Sequence, residues 1–226
     1  MILAGAVVQG AVGFGMNLVA APLLVLLDPN LVPVPMLLVG STHAVMSVLR
    51  EHTHADWSGV GWAMLGRLPG TVLGVLAVAT LPGRGLAVVV AASVLVCVAL
   101  SVITWHPRPE PRALVLAGVA SGTFGTAAAI GGPPVALLYQ HSAGSTVRAT
   151  MGAYFVLGSG LSVAGLAVAG EVGAADVWAA VLLTPFLLAG FALSGPARRW
   201  LDGRWLRPAV LVVSAGGAVL LILRSL

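Results

Sequence analysis

One arginine stands where a charge is least expected. Arg67 lies about ten residues into an apolar run that begins at Trp57, roughly 15 Å along a helix rising 1.5 Å per residue. A cation that deep in an apolar segment is costly and usually functional. It can neutralise a bound anion, or it can bond the exposed carbonyls of a broken helix. Two glycine-rich stretches supply the other groups an anion needs: GAVGFGMNLVAAP at residues 10–22 and GTFGTAAAIGGPP at residues 122–134. Gly13, Phe14 and Gly15 in the first, and Gly125, Ala129, Gly131, Gly132 and Pro133 in the second, mark interruptions. Glycine permits unusual backbone angles, and proline removes a backbone donor. A half-helix starting at such a break presents free N–H groups and the positive end of its dipole, which suits an anion. Residues Ala128–Gly132 and Asn17 are the candidate donors. Gln9 and Asn17 flank the first break, where each can donate to an anion or satisfy loose backbone groups. His43, beside Thr42, completes the candidate binding set; a lone histidine is equally a satisfied core residue.

These groups sit in a chain of 226 residues, 59% hydrophobic and 8% charged, with mean hydropathy +1.05. A soluble domain carries about 25% charged residues, so the chain reads as an all-α polytopic membrane protein. The apolar runs are about 20 residues long, the length of membrane helices rather than of barrel strands. The net charge of +4 comes from eleven arginines and no lysine. They gather mostly at segment ends, where membrane orientation explains them without nucleic acid. A single cysteine, Cys97, excludes an internal disulfide and a CxxC motif. The histidines are scattered and Ser159, in Gly158-Ser159-Gly160, has no base to pair with, so no enzyme, metal site or cofactor is expected. The opening residues lack a basic region, so no cleavable signal peptide is expected.

The two breaks correspond at a constant offset of 112 positions. Gly40 and Ser47 meet Gly152 and Ser159 at the same offset. Trp62, Ala63, Pro69 and Gly74 meet Trp178, Ala179, Pro185 and Gly190 at an offset of 116. The ordered series predicts two repeats of about four membrane segments, 1–105 and 113–226, joined by a proline-rich connector at 106–112. Matched broken segments in two halves are a sequence pointer to a transport site, although small residues also serve plain helix packing. The first segment of each repeat is either a kinked spanning helix or a re-entrant hairpin. With hairpins, the side holding the termini keeps Arg84 and Arg224, and eight arginines lie opposite. That bias favours hairpins and places both termini outside. The run Leu86–Trp105 is the most uniformly apolar and is expected to face lipid, after a turn at Pro82–Gly85.

The stretches at 10–15, AAIGGPP at 128–134 and RLPGTVLG at 67–74 resemble the TauE/SafE family of sulfite and organosulfonate exporters. The resemblance covers nearly the whole chain, and GGPP is its most specific part. It implies a secondary transporter of small sulfur-containing anions in the bacterial cytoplasmic (inner) membrane. The first break has fewer glycines than the common pattern, and Thr126-Ala127 stands where a glycine is often found, which leaves open which half contacts substrate. All seven acids fall near turns or ends, so no carboxylate proton relay is expected. The combined expectation is export of a small anion driven by membrane potential. Its partners are that anion and the lipid bilayer, without nucleic acid, and the protein is a monomer or homodimer. The alternatives are a proton-coupled carrier of another small organic anion and a non-transporting assembly subunit.

Overall fold

A computed structural model describes residues 1–12, 15–102, 108–200 and 203–225. Gly13, Phe14 and His106 lie outside the described residues, as do the side chains of Arg198, Arg199, Arg204 and Arg207. The described regular structure is entirely helical: α1 (Ile2–Val12), α2 (Met16–Leu27), α3 (Val34–Glu51), α4 (Trp57–Thr80), α5 (Gly83–Val102), α6 (Pro111–Ala128), α7 (Gly132–Leu138), α8 (Gly144–Val168), α9 (Ala174–Trp200) and α10 (Gly203–Ser225). Five stretches are long and apolar enough to cross a membrane: Pro29–Arg50, Trp57–Thr80, Gly83–Val102, Gly144–Val168 and Ala174–Gly195. The expected turn at Pro82–Gly85 is shorter than its composition suggests. The Pro82 carbonyl accepts from Leu86 N, so Gly83, Arg84 and Gly85 form the first turn of α5.

At both glycine-rich stretches the chain doubles back. Ten residues of unbroken helix span about 15 Å, yet the Ser121 hydroxyl on α6 donates to the Gly131 carbonyl. A Cβ on Gly5 of α1 would lie 2.9 Å from the Met16 side chain at the start of α2. The α1–α2 and α6–α7 pairs are therefore hairpins, not kinked continuous helices. With 11 residues, α1 is about 16 Å long, little more than half of a roughly 30 Å hydrocarbon core. The reversal falls on Gly15, with φ 114°, and on Ala129, with φ 58°. The prolines are not the breaking points: Pro22 lies inside α2 and Pro134 in the first turn of α7.

The helices pack in a few dominant pairs. α4 runs along α6 and α9 along α1; α3 meets α8; α5 meets α10; α4 also touches α8, and α9 touches α3. α4 is polar-in and apolar-out. Leu65, Leu68, Val72 and Leu76 are exposed, whereas Gly66, Arg67, Gly70, Thr71 and Gly74 are buried. Apolar side chains facing outward and small or polar ones facing inward suit a helix that borders lipid. α9 presents a similar outer face through Val181, Leu182 and Phe186. α5 has the highest segment hydropathy, 2.7, yet it turns Val90, Ala91, Val94 and Cys97 inward, so lipid does not cover it all round.

The α4–α6 seam is backbone against backbone. A Cβ on Gly66 would overlap the Val115 carbonyl, and one on Gly118 would overlap that of Ala63. Such closeness is how small residues hold helices together where lipid is as apolar as leucine. Gly61, on the same helix, has nothing within 4 Å of its Cβ position. Gly66→Ala is expected to lower the thermal unfolding midpoint of the detergent-purified protein, by overpacking worth about 1–3 kcal/mol. Gly61→Ala is expected to leave it unchanged or raise it, by up to about 1 kcal/mol of helix propensity.

Candidate functional site

The two hairpin turns meet. Asn17 Nδ2 donates to the Ala129 carbonyl at 2.6 Å, linking residues 112 positions apart. Between the turns lies a cavity of about 40 Å³, room for a few waters or one small oxyanion. The first hairpin lines it with Gln9, Gly15, Asn17 and Leu18, and the second with Gly125 and Ala129–Pro133. Arg67 enters from α4, Leu37 and Gly40 from α3, and Phe155 and Ser159 from α8. The lining thus mixes polar and cationic groups with the apolar side chains of Leu18, Leu37, Ile130 and Phe155.

Arg67 is 2% exposed. Its Nη1 donates to Ser121 Oγ at 3.3 Å and its Nη2 to Ser162 Oγ at 3.4 Å. The guanidinium carbon lies 4.9 Å from the centre of the Tyr154 ring, and Nε has no partner. Among the described residues no carboxylate pairs with it, and none of its bonds reaches a helix carbonyl. Burying an ion costs several kcal/mol. Cation–π contact with a desolvated ring returns about 2 kcal/mol, and two long bonds to neutral hydroxyls add no negative charge. The site therefore carries an unneutralised positive charge against its cavity.

Three glycines make the slot for this guanidinium. A Cβ on Gly158 would collide with the guanidinium carbon and Nε, and one on Gly125 would come within 3.0 Å of Nη2. One on Gly131 would lie 3.3 Å from Nη1. Ser162 stays in place by donating to the Gly158 carbonyl at 3.0 Å, and it also bonds Thr126 Oγ1 at 2.8 Å.

Helix ends supply further donors. At α2 the Met16 N–H is taken by Gln9 Oε1 at 3.2 Å. The next two N–H groups, of Asn17 and Leu18, have no intrahelical acceptor in the first turn, and both residues line the cavity. The α7 end is poorer than its glycines suggest. Pro133 and Pro134 follow Gly132 directly and carry no N–H, and the N–H groups of Ala129 and Ile130 are taken by the Phe124 carbonyl, so of the expected donors Ala128–Gly132 the turn leaves only those of Gly131 and Gly132.

Of the residues picked out by sequence, Gln9, Gly15, Asn17, Arg67, Gly125, Ala129, Gly131, Gly132 and Pro133 come together on the cavity. Gly13 and Phe14 fall outside the described residues. Thr42 and His43 do not line it. Thr42 Oγ1 bonds the Leu38 carbonyl of its own helix, and His43, 1% exposed, stands behind Gln9 at 3.1 Å. Sequence reasoning missed Ser121, Ser162, Gly158 and Tyr154 around the guanidinium, and Phe155 and Ser159 on the wall. The signal was the four-residue spacing of Tyr154, Gly158 and Ser162 along α8, which puts a small and polar stripe on one helix face.

The family model for the sulfite exporter TauE/SafE matches residues 1–221. No curated protein and no solved structure matches the chain.

Gly158→Ala tests the slot directly. The added methyl is expected to displace the guanidinium and reduce anion affinity at least tenfold, about the value of one lost charged hydrogen bond. Helicity by circular dichroism is expected to stay at the wild-type level. Unchanged anion affinity in this variant would remove the slot from the account.

Proposed function

Because this chain belongs to the sulfite exporter TauE/SafE family, we propose that it exports a small sulfur-containing anion, held between the two hairpins with Arg67 as its counter-charge. The observation that carries this reading is a buried arginine with an unpartnered Nε and, among the described residues, no carboxylate beside it. A bound sulfite or sulfonate supplies the missing negative charge and accepts from Arg67. The side-chain amides of Gln9 and Asn17, and the first N–H groups of α2, complete the donor set. The apolar side chains of Leu18, Leu37 and Phe155 complete the lining and exclude water.

The two halves, 1–105 and 113–226, are read as inverted repeats of a hairpin followed by three crossing helices. The packing supports this. Exchanging α1–α5 for α6–α10 in order turns the α4–α6 contact into α9–α1, α4–α8 into α9–α3, and α5–α7 into α10–α2, all of which occur. Six crossings place both termini on one side, together with Arg84 and Arg224. The arginine-rich side is then cytoplasmic and the termini lie outside the inner membrane.

No coupling ion is needed for this direction of transport. An inside-negative potential is worth about 2.3 kcal/mol per charge per 100 mV. A monoanion is thereby held at a gradient of nearly fifty-fold, at about 1.4 kcal/mol per tenfold. The described acids lie at helix ends and turns, away from the cavity. In proteoliposomes with a clamped potential, sulfite efflux is expected to follow the potential and to be insensitive to an imposed pH gradient. Arg67→Ala is expected to abolish it, while Arg84→Ala, at the exposed start of α5, leaves it near wild type. Efflux that follows the pH gradient and ignores the potential would replace this reading with proton coupling.

A further inference from the structure

His43 makes one side-chain hydrogen bond, and that contact determines what Gln9 can do. Gln9 Oε1 accepts the Met16 N–H at 3.2 Å. Gly15, which precedes α2, has no side chain to cap it, so Gln9 performs that task from α1. An amide whose oxygen is committed to Met16 turns its nitrogen to the other neighbour. Gln9 Nε2 lies 3.1 Å from His43 Nδ1. Both protons on an amide nitrogen are donors, so His43 Nδ1 has to be the acceptor and carries no proton. The ring proton then sits on Nε2. The Ala6 backbone also lies beside the imidazole, and the Phe191 ring stands edge-on with its centre 5.1 Å from that of the imidazole.

The opposite tautomer is not interchangeable with this one. A proton on Nδ1 would face the Gln9 NH2 group. Relieving that clash requires the amide to flip, which would aim its NH2 at the Met16 N–H and uncap α2. Because Gln9 lines the cavity, the flip would also change what the cavity presents. In the present arrangement Nε2 uses one proton on His43 and keeps the second free of protein partners. The second hairpin has a related cross-brace 112 positions on: Ser121 ties α6 to the Gly131 carbonyl and is itself held by Arg67.

We propose that His43 is a positioning residue, locked as the Nε2–H tautomer, that holds Gln9 in the one orientation that both caps α2 and leaves an amide N–H for the anion. His43 neither touches the anion nor carries a proton for it. The lock rests on the anion reading of the cavity for its purpose, but not for its geometry.

Two substitutions separate the lock from packing. His43→Asn places an acceptor oxygen where Nδ1 stood, while leaving a smaller side chain. His43→Leu fills the space better and offers no acceptor. The assay is the sulfite-dependent rise in unfolding midpoint of the purified protein, converted to an apparent Kd. The lock predicts that His43→Asn binds sulfite within about threefold of wild type and His43→Leu at least about tenfold more weakly, the scale of one hydrogen bond. Packing alone predicts the reverse order, and that order, or equal affinities, overturns the proposal. A second measurement needs no variant and no anion: the 15N spectrum of the His43 ring in the wild-type protein at pH 7. An unprotonated, hydrogen-bonded Nδ1 with a protonated Nε2 is expected. A protonated Nδ1, in either the neutral or the cationic ring, overturns the lock. A wild type indifferent to sulfite counts against the anion site, while the ring spectrum still decides the tautomer.

Discussion

A positive charge with no negative partner among the described residues, enclosed among helices, sets the terms for everything around it. Arg67 is buried to 2% exposure on a helix whose outer face is leucine and valine. Two serine hydroxyls and the Tyr154 ring soften the cost of that burial but do not cancel the charge. Each neighbouring structural choice follows from keeping the guanidinium in place. Gly158, Gly125 and Gly131 withhold their side chains to leave it room. Gly66, Gly70, Gly118 and Gly122 let α4 and α6 touch through their backbones, which fixes the height of Arg67 against Ser121. A looser seam would let the cation snorkel toward an interface, and the cavity would lose its charge.

The hairpins convert this charge into a site. A continuous helix at either break would have no free N–H groups to offer and no turn to approach its counterpart. Doubling back brings Gly15, Asn17 and Ala129 together and opens the first turn of α2 toward Arg67. The cost appears at Ala129, an alanine in the left-handed region, where an L side chain is disfavoured by about 1–2 kcal/mol. The carbonyl it positions is the one that Asn17 grips. Backbone strain at the contact between two hairpins fits a feature retained for the cavity rather than for stability.

Much of this arrangement was legible in the residues. Charge content and run length specify membrane helices, and the paired Gly/Pro stretches locate both breaks. The depth of Arg67 in its segment singles it out as a buried cation, and it lines the cavity. Other features were not legible, for physical reasons. A glycine that makes room for a distant guanidinium looks like any other glycine, so Gly158 gave no signal of its own. Prolines suggested the breaking points, but Pro22 sits seven residues into α2, where it leaves the Leu18 carbonyl without its helix donor and yet does not end the helix. His43 and Thr42 were expected beside the break, yet on α3 helix phase turns Thr42 to its own backbone and places His43 behind Gln9. The offset of 116 sets Gly74 opposite Gly190. In space Gly74 packs on Thr123 and Thr126 of α6, whereas Gly190 packs on Leu3 and Ala6 of α1. The second seam is therefore displaced along its partner, and Phe191 rather than a second cation stands beside His43.

The central claim is that the anion supplies a charge the protein lacks. The most direct measurement is the unfolding midpoint of Arg67→Met, with and without sulfite, beside the wild type. Replacing an uncompensated buried cation with an apolar side chain of similar length is expected to stabilise the anion-free protein and to abolish the sulfite response. The wild type should start lower and rise with sulfite, by about 2.7 kcal/mol at a hundredfold excess over Kd. An Arg67→Met protein that is less stable than wild type without anion, yet still responds fully to sulfite, would contradict the account.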